Sequence, residues 1–250
     1  MNLTDLTWPE VEALSRDLPV VIPVAALEQH GHHLPVFTDS MLLGEIVRRV
    51  SDSMRDKILV TPLMWLGNSH HHMDFAGTMS ATPRVYLDLL NDLIENMLTH
   101  GFRRILVLNG HGGNTVPSKQ ATFEVRQRHR QRRDLLILCA TYWDCARPNQ
   151  ERTDLVQSAM GHACEWETSM ILKLAPHLVK PHQNIANVEV GSAFASASRA
   201  WITKDRTVPG HIGQPQFASA EKGEALFQSF SKGVQSLLDE VIAWDGKSWE

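Results

Sequence analysis

Glu28 and His30 lie two residues apart in the stretch Leu27-Glu28-Gln29-His30-Gly31-His32-His33-Leu34-Pro35. Side chains alternate along extended backbone, so these two point to the same side. Asp39 follows just ahead of a helical pattern, where a carboxylate is well placed at the helix N-terminus. A glutamate, a histidine and an aspartate converging at one strand end offer the mixed nitrogen and oxygen ligands that suit a divalent metal. His111 stands in a second turn, Asn109-Gly110-His111-Gly112-Gly113-Asn114, whose glycines allow tight turning and close approach to a ligand. That turn is neither a dinucleotide fingerprint nor a phosphate-binding loop, because no G-x-G-x-x-G and no G-K-[ST] is present. A third stretch, Gly161-His162-Ala163-Cys164-Glu165-Trp166-Glu167-Thr168, opens a helical pattern. On a helix His162 and Glu165 share a face, whereas Glu167 turns substantially away from His162. One polar residue at a strand end is ordinarily just solvated, but Glu28, His30, Asp39 and His111 together form a candidate metal site. The run Ser69-His70-His71-His72 is compatible with a solvated loop or with a pocket role for His72.

The elements that must position these residues alternate between strand and helix. Short apolar runs at Pro19–Leu27, Lys57–Leu63, Arg104–Leu108 and Asp134–Tyr142 have the length and composition of buried strands. Helical periods follow at Ser40–Ser51, after Thr82-Pro83, at Thr115–Arg133, at about Met160–Leu174 and at about Ser219–Trp244. Thr82 supplies an N-cap and Pro83 a first helical residue. The arginines between Arg126 and Arg133 do not share one helical face and fit a solvated helix. Continuous apolar strands alternating with helices imply a mainly parallel sheet covered on both faces, an α/β class. Ligands bind outside the carboxyl ends of such strands. The candidate residues fall there, immediately after the first, third and fourth strands. Trp143, in Thr141-Tyr142-Trp143-Asp144, is by itself an ordinary core or interface aromatic.

Composition narrows the function classes. The chain has 250 residues, 43% of them hydrophobic and 21% charged, enough for one well-buried domain over residues 1–250. Its net charge of −4 gives no electrostatic footprint for nucleic acid. The longest nearly apolar run, Pro19–Leu27, is too short for a membrane span, and the beginning of the chain carries no signal-peptide pattern. Three cysteines, Cys139, Cys145 and Cys164, form no C-x-x-C pair and fit a reducing cytoplasm. Of 13 histidines, six lie between His30 and His72, so the compositional excess points to histidine chemistry.

At these residues the sequence resembles the creatininase family, the creatinine amidohydrolases and their relatives. The matching stretches are Ala26–Gly31, His33-Leu34-Pro35, Thr38-Asp39, Phe75–Thr78, Asn109–Asn114 and His162–Ser169. The resemblance implies a three-layer α/β/α sandwich, a homohexamer, and two divalent metal ions per subunit, typically zinc, manganese or iron. It implies that Glu28 and His111 bind one metal, that His30 binds the other, and that Asp39 bridges them. His162 would be the proton shuttle and Trp143 would cover the substrate. Two positions depart from the creatininases, which carry glutamates where this chain has Gly113 and Gly161. Relatives with Gly-Gly loops resemble the chain at Glu165, so Glu165 is expected to replace the missing ligand.

The expected function is metal-dependent hydrolysis of a non-peptide carbon–nitrogen bond in a small amide or cyclic amide, through a hydroxide bridging the metals. The alternatives are a formamide deformylase or peptide-trimming hydrolase of cofactor biosynthesis, and a non-catalytic metal-binding relative. Asn109 and Asn114 are candidates for orienting contacts. His33 and His72 are candidate pocket residues, and His32, His70 and His71 need no function. Residues 185–217, with Trp201 and His211, are expected to supply loops of the pocket or of a subunit interface.

Overall fold

The computed structural model describes residues 1–189, 191, 194 and 196–247. Residues 190, 192, 193 and 195 of the expected pocket loops, and 248–250 of the expected domain, lie outside the described residues. Four strands form the sheet: β1 (Val20–Val24), β2 (Leu59–Val60), β3 (Arg104–Asn109) and β4 (Leu136–Thr141). They lie in the order β2-β1-β3-β4 and every pair is parallel. The helices are α1 (Trp8–Glu12), α2 (Thr38–Met54), α3 (Pro83–Thr99), α4 (Thr115–Arg128), α5 (Pro148–Glu151), α6 (Glu165–Leu174), α7 (Thr203–Arg206) and α8 (Ala220–Ala243).

Period-two alternation divides β1 between two cores. Val21 packs with Leu42, Leu43 and Ile46 of α2, Met170 of α6 and Leu226, Phe230 and Val234 of α8. Val20, Ile22 and Val24 pack on the other face with Tyr86, Leu90 and Ile94 of α3 and Ala121 and Val125 of α4. All five β1 residues are buried, which is why the strand is apolar throughout. Helices therefore cover both faces, giving the expected three layers. Thr82 caps α3 by accepting the Val85 N–H, with Pro83 beginning the helix. The expected long basic helix ends at Arg128, five residues early. There Arg128 and His129 pair with Glu95 at 2.9 and 2.7 Å, and Arg132 pairs with Asp134. Among the described residues no helix is long and apolar enough to cross a membrane.

The register aligns the strand ends that matter. Val24 stands beside Asn109, and Asn109 beside Thr141. The segments following β1, β3 and β4 consequently leave the sheet at one edge, side by side.

A candidate metal centre at the carboxyl edge of the sheet

Local hydrogen bonds fold each of these segments. After β1 the Glu28 N–H donates to the Val36 carbonyl at 2.8 Å, and Gln29 N–H to Thr78 Oγ1 at 3.1 Å. The intervening loop returns to α2, where Ser40 Oγ donates to the Ala26 carbonyl. This places Asp39 in the first turn of α2, buried against the sheet edge. After β3 the Asn109 side chain closes the turn: its Oδ1 accepts the His111 N–H at 3.0 Å and its Nδ2 donates to the His111 carbonyl at 2.7 Å. Asn114 ties that turn to its neighbours, donating to the Ala25 carbonyl and accepting the Asn68 N–H. Both asparagines therefore position the loops.

The structure brings Glu28, His30, Asp39 and His111 together in full burial. Asp39 lies between two imidazoles, with Oδ1 3.0 Å from His30 Nε2 and Oδ2 2.9 Å from His111 Nδ1. Glu28 Oε2 is 3.3 Å from His111 Nε2, and its Oε1 is 3.4 Å from His72 Nε2 and 3.5 Å from His162 Nδ1. Burial opposes charge on Asp39, but His30 and His111 overcome it and hold the carboxyl well below its ordinary range. Burial likewise opposes protonation of the two histidines. Glu28 and Asp39 nevertheless raise His111 to about 10, and Asp39 and Glu167 raise His30 well above its ordinary value. The carboxylates thus favour positive charge at these two rings.

The donor set fits metal ions. Glu28 Oε2 and Asp39 Oδ2 are buried without a hydrogen-bond partner, although imidazole nitrogens lie near them. Leaving such atoms unsatisfied is costly, and lone pairs facing one point are what a cation satisfies. The far ring nitrogens already have carbonyl partners: His30 Nδ1 is 3.1 Å from the Glu28 carbonyl, and His111 Nε2 is 3.1 Å from that of Asn68. With an N–H donated there, His30 Nε2 and His111 Nδ1 face Asp39, and a cation bound between them would take the place of the protons they hold. Four overlapping groups of three possible ligands occur among the described residues, drawn from Glu28, His30, Asp39, His71, His72, His111, His162 and Glu167.

Two sequence expectations change here. Glu165 does not reach the cluster. Its buried carboxylate pairs with Lys222 Nζ at 2.6 Å and accepts the N–H groups of Val156 and Gln157. Glu167 stands near the cluster instead, its Oε1 3.7 Å from His30 Nε2. The helical spacing argument fails because α6 begins only at Glu165, while His162 bridges to Ile212 and Ala163 has φ of 48°. That left-handed residue resets the phase between His162 and the helix. His71 is also drawn in, its ring stacked 5.7 Å from that of His111.

The remaining residues fall into place around the cluster. His162 Nε2 is 2.8 Å from the Gln29 carbonyl, leaving Nδ1 toward Glu28. Burial and the neighbouring His30 lower its pKa to about 3. Gln29, which sequence reading passed over, donates to His72 Nδ1 and to the Gly210 carbonyl, joining three segments. His72 is buried, and burial with the surrounding histidines keeps it neutral. His33 lies behind the cluster, 2.9 Å from Thr168 Oγ1 and edge-on to His211. Trp143 is half-buried against the core beside Tyr142. Gly113 and Gly161 have no room for a side chain. A Cβ at 113 would collide with the Asn68 carbonyl oxygen and come within 2.5 Å of His111 Nε2, and one at 161 would strike the Ile212 carbonyl oxygen.

Comparison with known proteins agrees with this architecture. The creatininase family, described as creatinine amidohydrolase, matches residues 4–238. The chain is 28% identical to creatinine amidohydrolase of Pseudomonas putida over 94% of its own length and 95% of the relative's. It is 26% identical to the mycofactocin precursor peptide peptidase of Mycobacterium ulcerans, over 95% and 86% respectively. Solved creatininase structures described as a Zn-Zn type mutant and a manganese form each superpose with TM-score 0.81, at 27% and 26% identity, covering 96% of this chain and 97% of theirs. The chain belongs to the creatininase family. It is a hydrolase of that family with buried histidine and carboxylate clusters at its site.

Proposed function

We propose that the protein is a binuclear metal-dependent amidohydrolase that cleaves a carbon–nitrogen bond of a small amide. The observation that carries this is Asp39, buried with one oxygen on His30 and the other on His111. In this reading Glu28, His30, Asp39, His111 and Glu167 would hold two divalent ions between them. Zinc, manganese and iron all suit this donor set. Two such ions, when bound, supply Lewis-acid polarisation of a carbonyl and activation of water near neutral pH.

The chain's own residues do the rest. Asp39, fixed in the first turn of α2, sets the spacing of the two histidines. The Asn109 turn aims His111, and the Glu28 carbonyl fixes the tautomer of His30. His162 presents Nδ1 to the pocket while its Nε2–H is held by the Gln29 carbonyl. Nδ1 is placed to carry a proton to the leaving nitrogen, and its lowered basicity favours the delivery half of that transfer. Burial among His72, Glu28 and Gln29 limits water around that exchange. Trp143, on the segment following β4, would cover the substrate.

Gly113 favours a second substrate reading. The resemblance placed a creatininase ligand at this position, and here backbone fills the space. This supports a formamide or a peptide end as substrate over creatinine. Elemental analysis of purified protein, with hydrolysis of creatinine, cyclic ureides, formamides and short peptides by the metal-loaded form, tests both readings. Two metals per chain with cleavage of one class is the expected result. One metal or none, with no cleavage, would favour a binding protein. A homohexamer in the cytoplasm accompanies the proposal, and a particle of six 28.1 kDa chains is what light scattering should find.

A further inference from the structure

A column of rings leads from the buried cluster toward solvent. His71 stacks on His111 with planes 7° apart, Trp201 meets His71 edge-on at 4.9 Å, and the Arg206 guanidinium lies 4.4 Å over the Trp201 ring. The short helix α7 that carries Arg206 is anchored to the site itself, because its buried Thr203 places Oγ1 2.9 Å from His72 Nδ1. Asp205, the acid of this helix, is engaged by the Ile202 N–H at 3.1 Å. Lys204 lies over a different ring, that of Phe75, at 5.7 Å. Arg206 forms no ion pair among the described residues, and burial alone bears on its ionisation, lowering its pKa. Its charge is nevertheless felt at His71. A partly desolvated arginine is ordinarily paired. This one lies over the Trp201 ring with no ion pair or hydrogen bond from its guanidinium among the described residues, and such a planar fork of donors matches a carboxylate.

We infer that Arg206 is the specificity-determining residue of the site and selects substrates that carry a carboxylate near the scissile amide. The inference rests on the hydrolase reading above and narrows it to anionic amides. The probes are N-formylglycine, N-formylglycylglycine and N-formylglycylglycylglycine, each as the free acid and as the C-terminal carboxamide. Each is titrated calorimetrically into the zinc-loaded full chain, and hydrolysis is followed in parallel. At least one free acid should bind about 10- to 100-fold more tightly than its carboxamide, the worth of a charge-assisted contact. Arg206→Gln should abolish that preference at unchanged zinc content and Tm, and Arg206→Lys should retain part of it. Equal binding of acid and amide, no binding of any acid, or a preference that survives Arg206→Gln would overturn the inference. Acid-selective binding lost in Arg206→Gln but without hydrolysis would keep Arg206 in its role and sink the hydrolase reading. Hydrolysis with equal kcat/KM for acid and amide would do the reverse.

Discussion

Glu165 and Glu167 are two residues apart and both buried, yet they belong to opposite kinds of environment. Glu165 sits in a closed electrostatic unit, with Lys222 Nζ at 2.6 Å and two backbone N–H groups on its oxygens. Glu167 joins Glu28 and Asp39 on the other side, and among the described residues none of these three pairs with a lysine or arginine. The first region carries its own cation and ties the loop before α6 to α8. The second has imidazoles, the orphaned Glu28 Oε2 and Asp39 Oδ2, and a single backbone N–H, from Cys164 to Glu167 Oε2 at 3.3 Å. A buried charge must be paired or coordinate a metal. Neutralisation by its own lysine marks the first region as structural, and three carboxylates faced by imidazoles alone are what the proposed metal site rests on.

Substitutions can break this contrast. Asp39→Ala removes the carboxylate shared by two histidines and should reduce hydrolysis by roughly three orders of magnitude, about 4 kcal/mol of transition-state stabilisation. Metal content should fall with it, and full activity in metal-free protein would sink the assignment. His162→Ala alters the same region without removing negative charge. Turnover should fall about 10²-fold or more at unchanged metal content, and unchanged turnover would remove His162 from proton transfer.

The glutamate pair gives the most direct comparison. Glu165→Gln should leave metal binding intact and lower stability by up to about 3 kcal/mol, since it leaves the partly buried Lys222 with only the Phe217 carbonyl. Glu167→Gln should lower metal per chain while costing the apo fold little, as read by elemental analysis and Tm. If the two phenotypes were exchanged, the contrast would be wrong.

The smallest effect belongs to a self-neutralised pair at the surface. Arg49 binds Glu224 through both guanidinium nitrogens at 2.8 and 2.9 Å, and this hydrogen bonding lowers the Glu224 pKa to about 2. The folded pKa lies below the ordinary 4.5, so the contribution is complete above pH 4.5 and is lost as pH falls toward 2. Solvent screening keeps Arg49→Ala to about 0.5–1 kcal/mol. Denaturant melts of both proteins should differ by that amount at pH 7 and converge near pH 2.

The sequence made the sheet and half of the cluster legible. Apolar runs gave four strands, and the rule for parallel sheets placed Glu28, His30, Asp39 and His111 at one edge. It misassigned the glutamate on α6, because the phase between His162 and that helix is set by one left-handed residue, Ala163. No periodicity argument sees such a residue. Gln29, His71 and Arg206 were missed for a different reason. Their partners, Gly210, His111 and Trp201, are distant in sequence. The triple histidine at 70–72 was the one local signal that could have raised His71.

The parallel sheet also fixes when the site can exist. β1 is one of two inner strands, and its register pairs Val20 with Ile105, far along the chain. Such pairings fold slowly, because the chain pays loop-closure entropy before distant contacts reward it. The cluster needs the segment after β1, the turn after β3 and the docked first turn of α6. In the proposed reading, affinity for cations would be a property of the finished molecule, because an emerging chain offers only scattered imidazoles and carboxylates.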